Sequence, residues 1–188
     1  NWFDEDDPLT MEEEQFDVIL ADYLIGAMDG FSPYAQDQMI PKLARLLKPG
    51  GKLFIVGLQP IPDRTPNDPD ANLICKVREV RDACILLAGH RCYREYPVDW
   101  IQRQVQTCPG LILDHTSQFP ILYKQETIVK QINVARSKFQ YFPTPGLSTA
   151  MAAVLDDLES KLWEATQRSP TGRIQLGFDY IVTAQKEQ

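Results

Sequence analysis

The sequence lacks the features that mark membrane proteins and nucleic-acid-binding domains. No apolar run approaches the roughly 18–20 residues that a membrane-spanning helix needs, so we expect no membrane partner. The 188 residues carry a formal net charge of −7, which provides no basic face for sequence-independent binding to nucleic acid. We therefore expect no nucleic-acid partner, and a chain of this length is long enough to bury one sizeable core.

Cysteine and histidine are also scarce. The four cysteines include no Cys-x-x-Cys pair, and the spacing of Cys75, Cys84, His90 and Cys92 matches no zinc pattern. A chain of this length does not depend on a disulfide framework for stability. We therefore expect reduced thiols, a cytoplasmic protein and no metal site.

Apolar runs and helical stripes alternate along the chain. Residues 16–21 form a short apolar run that predicts a strand buried on both faces, and residues 52–58 (KLFIVGL) predict a second strand. Leucines at helical spacing in 43–47 predict a helix between them. We expect this helix to stop at Lys-Pro-Gly-Gly (48–51), because proline cannot continue it and glycine tolerates a left-handed cap. Strand, helix and strand in this order predict a parallel βαβ unit.

The rest of the chain adds helices and two more strands. Residues 59–110 predict a proline-rich loop followed by helices, and residues 111–123 predict a strand. Residues 124–172 predict helices, the last of them with Ser148 as its N-cap, and residues 173–186 predict the final strand. This order is that of an α/β domain, and four strands alone leave an edge or a face unpaired.

Two segments resemble one enzyme family. The stretch "FDVILADYLIG…LARLLKPGGKLFIVG" (16–57) resembles the fourth strand, following helix and fifth strand of class I S-adenosylmethionine-dependent methyltransferases, and "FDYIVTAQK" (178–186) resembles their last, antiparallel strand. The resemblance implies a Rossmann-like methyltransferase sheet, mostly parallel, with a helical insertion at 124–172 before the antiparallel last strand. Residues 1–188 would form part of that domain, and residues 1–58 would hold its core βαβ unit.

The chain departs from the family pattern at the cofactor loop. It contains no Gly-x-Gly, and the acidic residue that ends the family's second strand is missing. The resemblance therefore implies an N-terminally truncated domain, a fragment that binds S-adenosylmethionine poorly. Asn1 would bond the edge of the adenine, and Trp2 or Phe3 would stack on its face. Alternatively, the two aromatic side chains cover the core.

Candidate methyl-transfer residues follow the first strand. Open α/β sheets bind ligands beyond the carboxyl ends of their strands, and the resemblance places Ala21, Asp22 and Tyr23 at the cofactor. Asp22 would orient a substrate donor, act as a base or favour the cationic sulfonium, and Tyr23 would pack beside the reactive methyl group. The alternatives are a loop-stabilising carboxylate for Asp22 and a core aromatic for Tyr23.

Other candidate residues lie farther along the chain. His115 follows Asp114 in a predicted strand and would act as a base held by a carboxylate, unless it is structural or simply exposed. Arg91, Tyr93 and Arg94 lie in a loop after a long helix. They would contact an anionic substrate through the arginines, or they belong to a solvated loop.

The leading interpretation is an S-adenosylmethionine-dependent methyltransferase that acts on a small-molecule acceptor. The acidic charge and the helices of 124–172, which could form a lid or a homo-oligomer surface, favour a small molecule. One alternative is a non-catalytic methyltransferase-like binding or scaffold module. A second is a nucleotide-dependent oxidoreductase of related topology, which requires an upstream Gly-x-Gly-x-x-Gly.

Overall fold

The computed structural model describes residues 13–65 and 67–188. Its elements, in chain order, are β1 (Phe16–Asp22), α1 (Leu24–Ala27), α2 (Met39–Leu46), β2 (Leu47–Leu58), α3 (Pro69–Leu87), α4 (Val98–Thr107), β3 (Leu111–Lys124), α5 (Gln125–Arg136), α6 (Pro145–Arg168) and β4 (Arg173–Lys186). Short 3₁₀ turns lie at Met28–Gly30, Gln36–Gln38 and Phe139–Tyr141.

The chain divides into two compact units. The first unit contains the described residues through Pro60 together with Tyr93–Phe119 and Phe178–Gln188. The second unit contains Ile61–Cys92 and Pro120–Gly177. It includes α3, α5 and α6, so the predicted helical insertion is confirmed as helical.

The four strands form one mixed sheet in the order β1-β2-β4-β3. β1 pairs with β2 in parallel, with Ala21 opposite Ile55, and β2 pairs with β4 in antiparallel orientation, with Gly57 opposite Tyr180. The predicted parallel βαβ unit and antiparallel last strand are therefore confirmed. β4 lies between β2 and β3, because the chain crosses over before its last strand.

The prediction that β1 is buried on both faces is wrong. Ala21 is only 2% exposed, whereas Val18 and Leu20 are 57% and 63% exposed. Side chains alternate between the two faces of a strand. β1 lies at the edge of the sheet, and no described residue covers the face that carries Val18 and Leu20. The expectation of an open face or edge is confirmed.

The Lys-Pro-Gly-Gly sequence does not end the preceding helix as a cap. α2 ends at Leu46, and Leu47 already belongs to β2. Leu47 pairs with Phe16, but the next paired residue of β2 is Lys52, so residues 48–51 bulge out of the ladder. Proline cannot donate a ladder hydrogen bond and Gly50 has a φ of 76°, which explains why these residues suit a bulge.

Helix α6 begins earlier than predicted. Thr144 is its N-cap and Pro145 occupies the first turn, where the missing N–H of proline is not needed. Ser148, the predicted N-cap, instead donates a hydrogen bond from Oγ to the carbonyl of Phe139 at 3.4 Å. The start of α6 is therefore marked by Thr144 and Pro145, and Ser148 lies inside the helix.

Each unit has its own apolar core. In the first unit, fully buried side chains of β2, α2 and α4 meet, among them Leu43, Ile55 and Ile101. In the second unit, α3, α5 and α6 bury one another, and Ile132 and Leu162 are without exposed surface. The leucine stripe of α6 therefore serves packing.

None of the four cysteines forms a disulfide. Burial raises the pKa of Cys75, Cys84 and Cys108 above the ordinary thiol value, which makes them poor nucleophiles. Across the described helices, no segment combines the length and apolar character that crossing a bilayer requires.

Candidate active site

The candidate site lies in the first unit, at the carboxyl ends of β1 and β2. These two ends coincide because the strands are parallel, and Asp22 is in register with Val56. β4 runs in the opposite direction, so its residue Asp179 lies beside Leu58 at the end of β2. Side chains from three strands can therefore meet at one edge of the sheet.

Tyr23 makes the turn from β1 into α1. Its φ of 48° and ψ of 22° are left-handed, a conformation that non-glycine residues adopt rarely and at a cost. Its N–H donates to the carbonyl of Val56 at 3.1 Å, and its phenol donates to Asp179 Oδ1 at 3.0 Å. The turn thus directs the phenol of Tyr23, just after β1, toward the carboxylate of Asp179 in β4.

The phenol of Tyr23 keeps its proton over a wide pH range. Partial burial, the hydrogen bond to Asp179 and the charges of Asp179, Asp22 and Glu95 raise its pKa to about 12. A deprotonated phenolate beside carboxylates would be strongly disfavoured. Tyr23 is therefore a hydrogen-bond donor at neutral pH.

Glu95 is a half-buried carboxylate that the sequence analysis did not single out. It precedes α4 and lies against Gly26 of α1, where an added Cβ atom would be 3.0 Å from Glu95 Cδ. Burial and, to a lesser degree, the charge of Asp179 raise its pKa above the ordinary value of 4.5. A carboxylate whose charged form is disfavoured accepts a proton readily, as a general base must.

Tyr180 fixes the segment that carries Glu95. The side chain is 2% exposed, and its hydroxyl donates to the carbonyl of Tyr96 at 2.7 Å. The ring packs over Gly57, where a Cβ atom would be 2.8 Å from its Cε2. Burial, followed by the charge of Glu95, raises the pKa of Tyr180.

Asp29 is a second acidic residue that the sequence analysis missed. It is only 5% exposed, and its Oδ1 accepts a hydrogen bond from Gln36 Nε2 at 3.1 Å. Its Oδ2 has no hydrogen-bond donor among the described residues. The charge of Asp29 contributes to the raised pKa values of Tyr93 and Tyr96, after the larger effect of burial. No sequence pattern indicates its burial.

The structure brings some of the predicted site residues together. Ala21 is buried at the end of β1, and Asp22 is exposed beside Tyr23. Tyr93 is exposed. Its pKa is raised mainly by partial burial, and the charges of Glu95 and Asp29 add to the rise. The charge of Arg94 opposes the rise in the pKa of Tyr96 that burial and Asp29 cause.

Other predicted residues are placed elsewhere. His115 is exposed on β3, which β2 and β4 separate from β1 in the sheet. The Asp114 carboxylate lies 3.7 Å from Lys52 Nζ. Arg91 belongs to the second unit, and residues 1–3, Asn1, Trp2 and Phe3, lie outside the described residues. The roles assigned to these residues stay predictions.

The acidic side chains of the described residues do not converge in the way that metal ligands would. In the part of the chain that the structure describes, no group of three or more histidine, cysteine, aspartate or glutamate side chains is placed to hold a metal ion. Metal ions need such convergent ligands.

Comparison with known proteins yields a match of fold. No protein-family model and no curated protein matches the sequence. Among solved structures, the chain is similar to a Bacillus halodurans C-125 protein provisionally described as a methyltransferase, with 20% identity and a TM-score of 0.54 over 96% of this chain and 68% of that chain. At this identity the similarity establishes the fold alone, and the chain spans about two thirds of that protein.

Two further structures have lower TM-scores. The YcgJ protein from Bacillus subtilis is 15% identical, with a TM-score of 0.49 over 96% of this chain and 67% of that chain. Phosphoethanolamine N-methyltransferase 2 from Haemonchus contortus, solved with phosphomonomethylethanolamine and S-adenosylhomocysteine, is 16% identical. Its TM-score is 0.43 over 95% of this chain and 35% of that chain.

Proposed function

We propose that this chain, which has the fold of the class I S-adenosylmethionine-dependent methyltransferases, takes part in methyl transfer from that cofactor to a small-molecule acceptor. The observation that carries the proposal is the cluster of Tyr23, Glu95 and Asp179 at the carboxyl ends of β1 and β2. Ligands of open α/β sheets bind at this edge.

The charges of the cluster fit a sulfonium cofactor. Asp22, Glu95 and Asp179 all act on the phenol of Tyr23, and the ion pairs among the described residues of the first unit leave all three unpaired with lysine or arginine. When bound, S-adenosylmethionine supplies an electrophilic methyl group on a positively charged sulfur. We place its methyl end near Ala21 and Tyr23. Residues Asn1, Trp2 and Phe3 stay proposed for its adenine.

Each side chain of the cluster has a separate proposed role. The phenol of Tyr23, held by Asp179 at 3.0 Å, donates a hydrogen bond that orients the acceptor. Glu95 accepts the proton that the acceptor loses. Holding the reacting groups at close approach contributes most of the acceleration in such an in-line transfer.

Three wider features belong to the same proposal. The helical segment is also proposed as the surface through which a homo-oligomer would form, and its helix α6 carries the exposed Trp163. Four cysteines without a disulfide support action in a reducing compartment such as the cytoplasm. The net charge of −7 supports a small-molecule acceptor over a nucleic acid.

The test is calorimetric binding of S-adenosylmethionine and S-adenosylhomocysteine to the protein. We expect both to bind. Asp179→Asn should weaken S-adenosylmethionine about tenfold while changing S-adenosylhomocysteine little, because only the former carries a positive charge. Asp17→Asn, at the other end of β1 and paired with Lys48, is the matched control and should bind both normally.

The outcomes separate the competing functions. If neither S-adenosylmethionine nor S-adenosylhomocysteine binds, the methyltransferase proposal is overturned and the binding or scaffold module is favoured. Binding of a nicotinamide dinucleotide in their place would favour the oxidoreductase. Equal losses of affinity for both compounds in Asp179→Asn would remove the assigned charge role of Asp179.

A further inference from the structure

We propose that Gly26 is a positioning residue: the space left by its missing side chain holds the carboxylate of Glu95 at the carboxyl ends of β1 and β2. This inference rests on the proposed function, because it concerns the general base of the same site. It assigns a role to a glycine that the proposed function leaves without one.

The backbone of Gly26 does not explain why a glycine stands there. Gly26 is a buried residue of α1, and it is not one of the glycines with a positive φ, so its backbone conformation is open to any residue. Glycine inside a helix is also less favourable than alanine. The reason for this glycine therefore lies in the space around it.

The space around Gly26 is filled by the carboxyl group of Glu95. A Cβ atom built on Gly26 would be 3.0 Å from Glu95 Cδ and 3.2 Å from Glu95 Oε1, and it would be closer still to Glu95 Oε2. The three nearest atoms outside the adjoining part of the chain all belong to this one group. Any side chain at Gly26 would therefore force the carboxylate to move.

Hydrogen bonds fix Gly26 to the strand ends on one side. The carbonyl of Tyr23 accepts from the N–H of Ala27 at 3.1 Å, and the N–H of Tyr23 donates to the carbonyl of Val56 at 3.1 Å. The short helix that contains Gly26 is thus fastened to the end of β2. A carboxylate resting on this helix lies at the edge of the sheet where ligands of α/β folds bind.

Hydrogen bonds also fix the segment that carries Glu95. The hydroxyl of Tyr180, in β4, donates to the carbonyl of Tyr96 at 2.7 Å. The N–H of Val98 donates to Gln59 Oε1, just after β2, at 3.1 Å. The backbone next to Glu95 is therefore held from two strands, and only the outer part of the Glu95 side chain is left to rotate.

Gly26 and Gly57 differ in what an added methyl group would meet. At Gly57 it would meet the ring of Tyr180, which is 2% exposed and has no room to move. At Gly26 it would meet the end of a flexible, half-buried side chain. We therefore expect Gly26→Ala to displace the Glu95 carboxylate at little cost in stability, which a purely structural glycine would not allow.

The first experiment follows the carboxyl of Glu95 by NMR titration of the protein labelled with ¹³C-glutamate, with Glu95→Gln to assign its signal. Burial, followed by the charge of Asp179, raises the pKa of Glu95 above 4.5. In Gly26→Ala the carboxyl moves into water, so we expect its pKa to fall toward the ordinary value. Gly30→Ala is the matched control, because a Cβ there meets nothing within 4 Å. A pKa of Glu95 that is the same in Gly26→Ala as in the wild type overturns the inference.

Urea unfolding separates positioning from packing. At neutral pH we expect Gly26→Ala to unfold at the same or a higher urea concentration than the wild type. Alanine favours the helix, and the ionised carboxyl is no longer held out of water. A loss of stability as large as that of Gly57→Ala would make Gly26 a packing residue and overturn the inference.

Calorimetric binding of S-adenosylmethionine and S-adenosylhomocysteine connects the position of Glu95 to the site. In Glu95→Gln we expect the preference for the charged compound to fall about threefold, because the charge of a half-buried carboxylate is partly screened. Gly26→Ala should lower the preference in the same direction, and the double variant should lose no more than Glu95→Gln alone. Additive losses, or an unchanged preference in Glu95→Gln, overturn the inference.

The two proposals fail in different ways. If neither compound binds, the proposed function fails, whereas the titration and the unfolding still decide where the carboxyl of Glu95 lies. If both compounds bind and the pKa of Glu95 is unchanged in Gly26→Ala, the inference about Gly26 alone fails.

Discussion

The two units of the chain differ in whether their half-buried and buried acidic side chains form ion pairs. In the second unit, Arg136 contacts Asp156 at 2.6 Å and Glu159 at 2.7 Å, so these two carboxylates of α6 are paired. In the first unit, Glu95 is half-buried and Asp29 is almost fully buried, and neither forms an ion pair among the described residues. Other carboxylates of the first unit are exposed and do form ion pairs, so the contrast concerns its buried carboxylates.

This difference separates structural carboxylates from candidate functional ones. An exposed ion pair contributes little to stability, and it leaves no charge available to a ligand. A half-buried carboxylate without a cation lowers stability, and sites that bind ligands often carry such a cost. Removing carboxylates from the two units should therefore have opposite effects on stability and on activity.

The largest expected effect concerns activity. Asp179→Asn removes the negative charge that holds the Tyr23 phenol, and we expect methyl transfer to fall about 100-fold. Asp156→Asn, in the second unit, is the matched control and should leave the rate unchanged. Rates are measured by transfer of tritium from S-adenosylmethionine. Similar rates for the two variants would contradict the proposed difference in function between the carboxylates of the two units.

The next effect concerns packing at the candidate site. Gly57→Ala would place a methyl group against the Tyr180 phenol, and we expect the free energy of unfolding to fall by about 1–3 kcal/mol. Gly146→Ala, in α6, is the control, because a Cβ there meets nothing within 4 Å. Urea unfolding measures both. Equal stabilities of the two variants would show that the ring of Tyr180 moves freely.

A smaller effect is the pH dependence of stability. The pKa of Glu95 is raised above 4.5 by burial and by Asp179, so its ionised form disfavours folding. Below pH 4.5 the carboxyl is protonated in both states and costs nothing. The cost grows as the pH rises through the raised folded-state pKa. Glu95→Gln should therefore unfold at higher urea than the wild type at neutral pH and at similar urea near pH 4.

The control for this prediction lies in the second unit. Glu159→Gln removes a partner of Arg136, so this variant should be less stable than the wild type at neutral pH. A Glu95→Gln variant that is also less stable at neutral pH would contradict the assignment of Glu95 as an unpaired carboxylate.

The smallest effect is the energy of the Arg136–Asp156 pair. A double-mutant cycle with Arg136→Met and Asp156→Asn should give a coupling of about 0.2–1 kcal/mol, because both side chains are partly exposed. The coupling should shrink in high salt. A coupling several times larger would indicate that this pair is as critical as the core of the second unit.

Much of the fold could be predicted from local patterns. The apolar runs at 16–21 and 52–58 were confirmed as parallel strands, and the last strand was confirmed as antiparallel to β2. The errors fell where local signals competed. The Lys-Pro-Gly-Gly sequence forms a bulge in the pairing of β1 with β2 instead of a helix cap. Helix α6 begins at Pro145, with Thr144 as its N-cap in place of Ser148.

The candidate site was predictable only in part. The resemblance pointed to Ala21, Asp22 and Tyr23, because these residues directly follow a recognisable strand. Glu95 could not be found, since its importance comes from Gly26 and Asp179, which are far away in sequence. The same holds for Asp29, whose burial no local pattern indicates.

The sequence by itself determined which segments are helices and strands, that β1 and β2 are parallel, and that an acidic residue and a tyrosine end β1. These properties follow from apolar periodicity and chain connectivity, which are local. Only the tertiary structure decided which carboxylates are paired and which are left without a cation, because pairing and burial depend on residues brought together from distant parts of the chain.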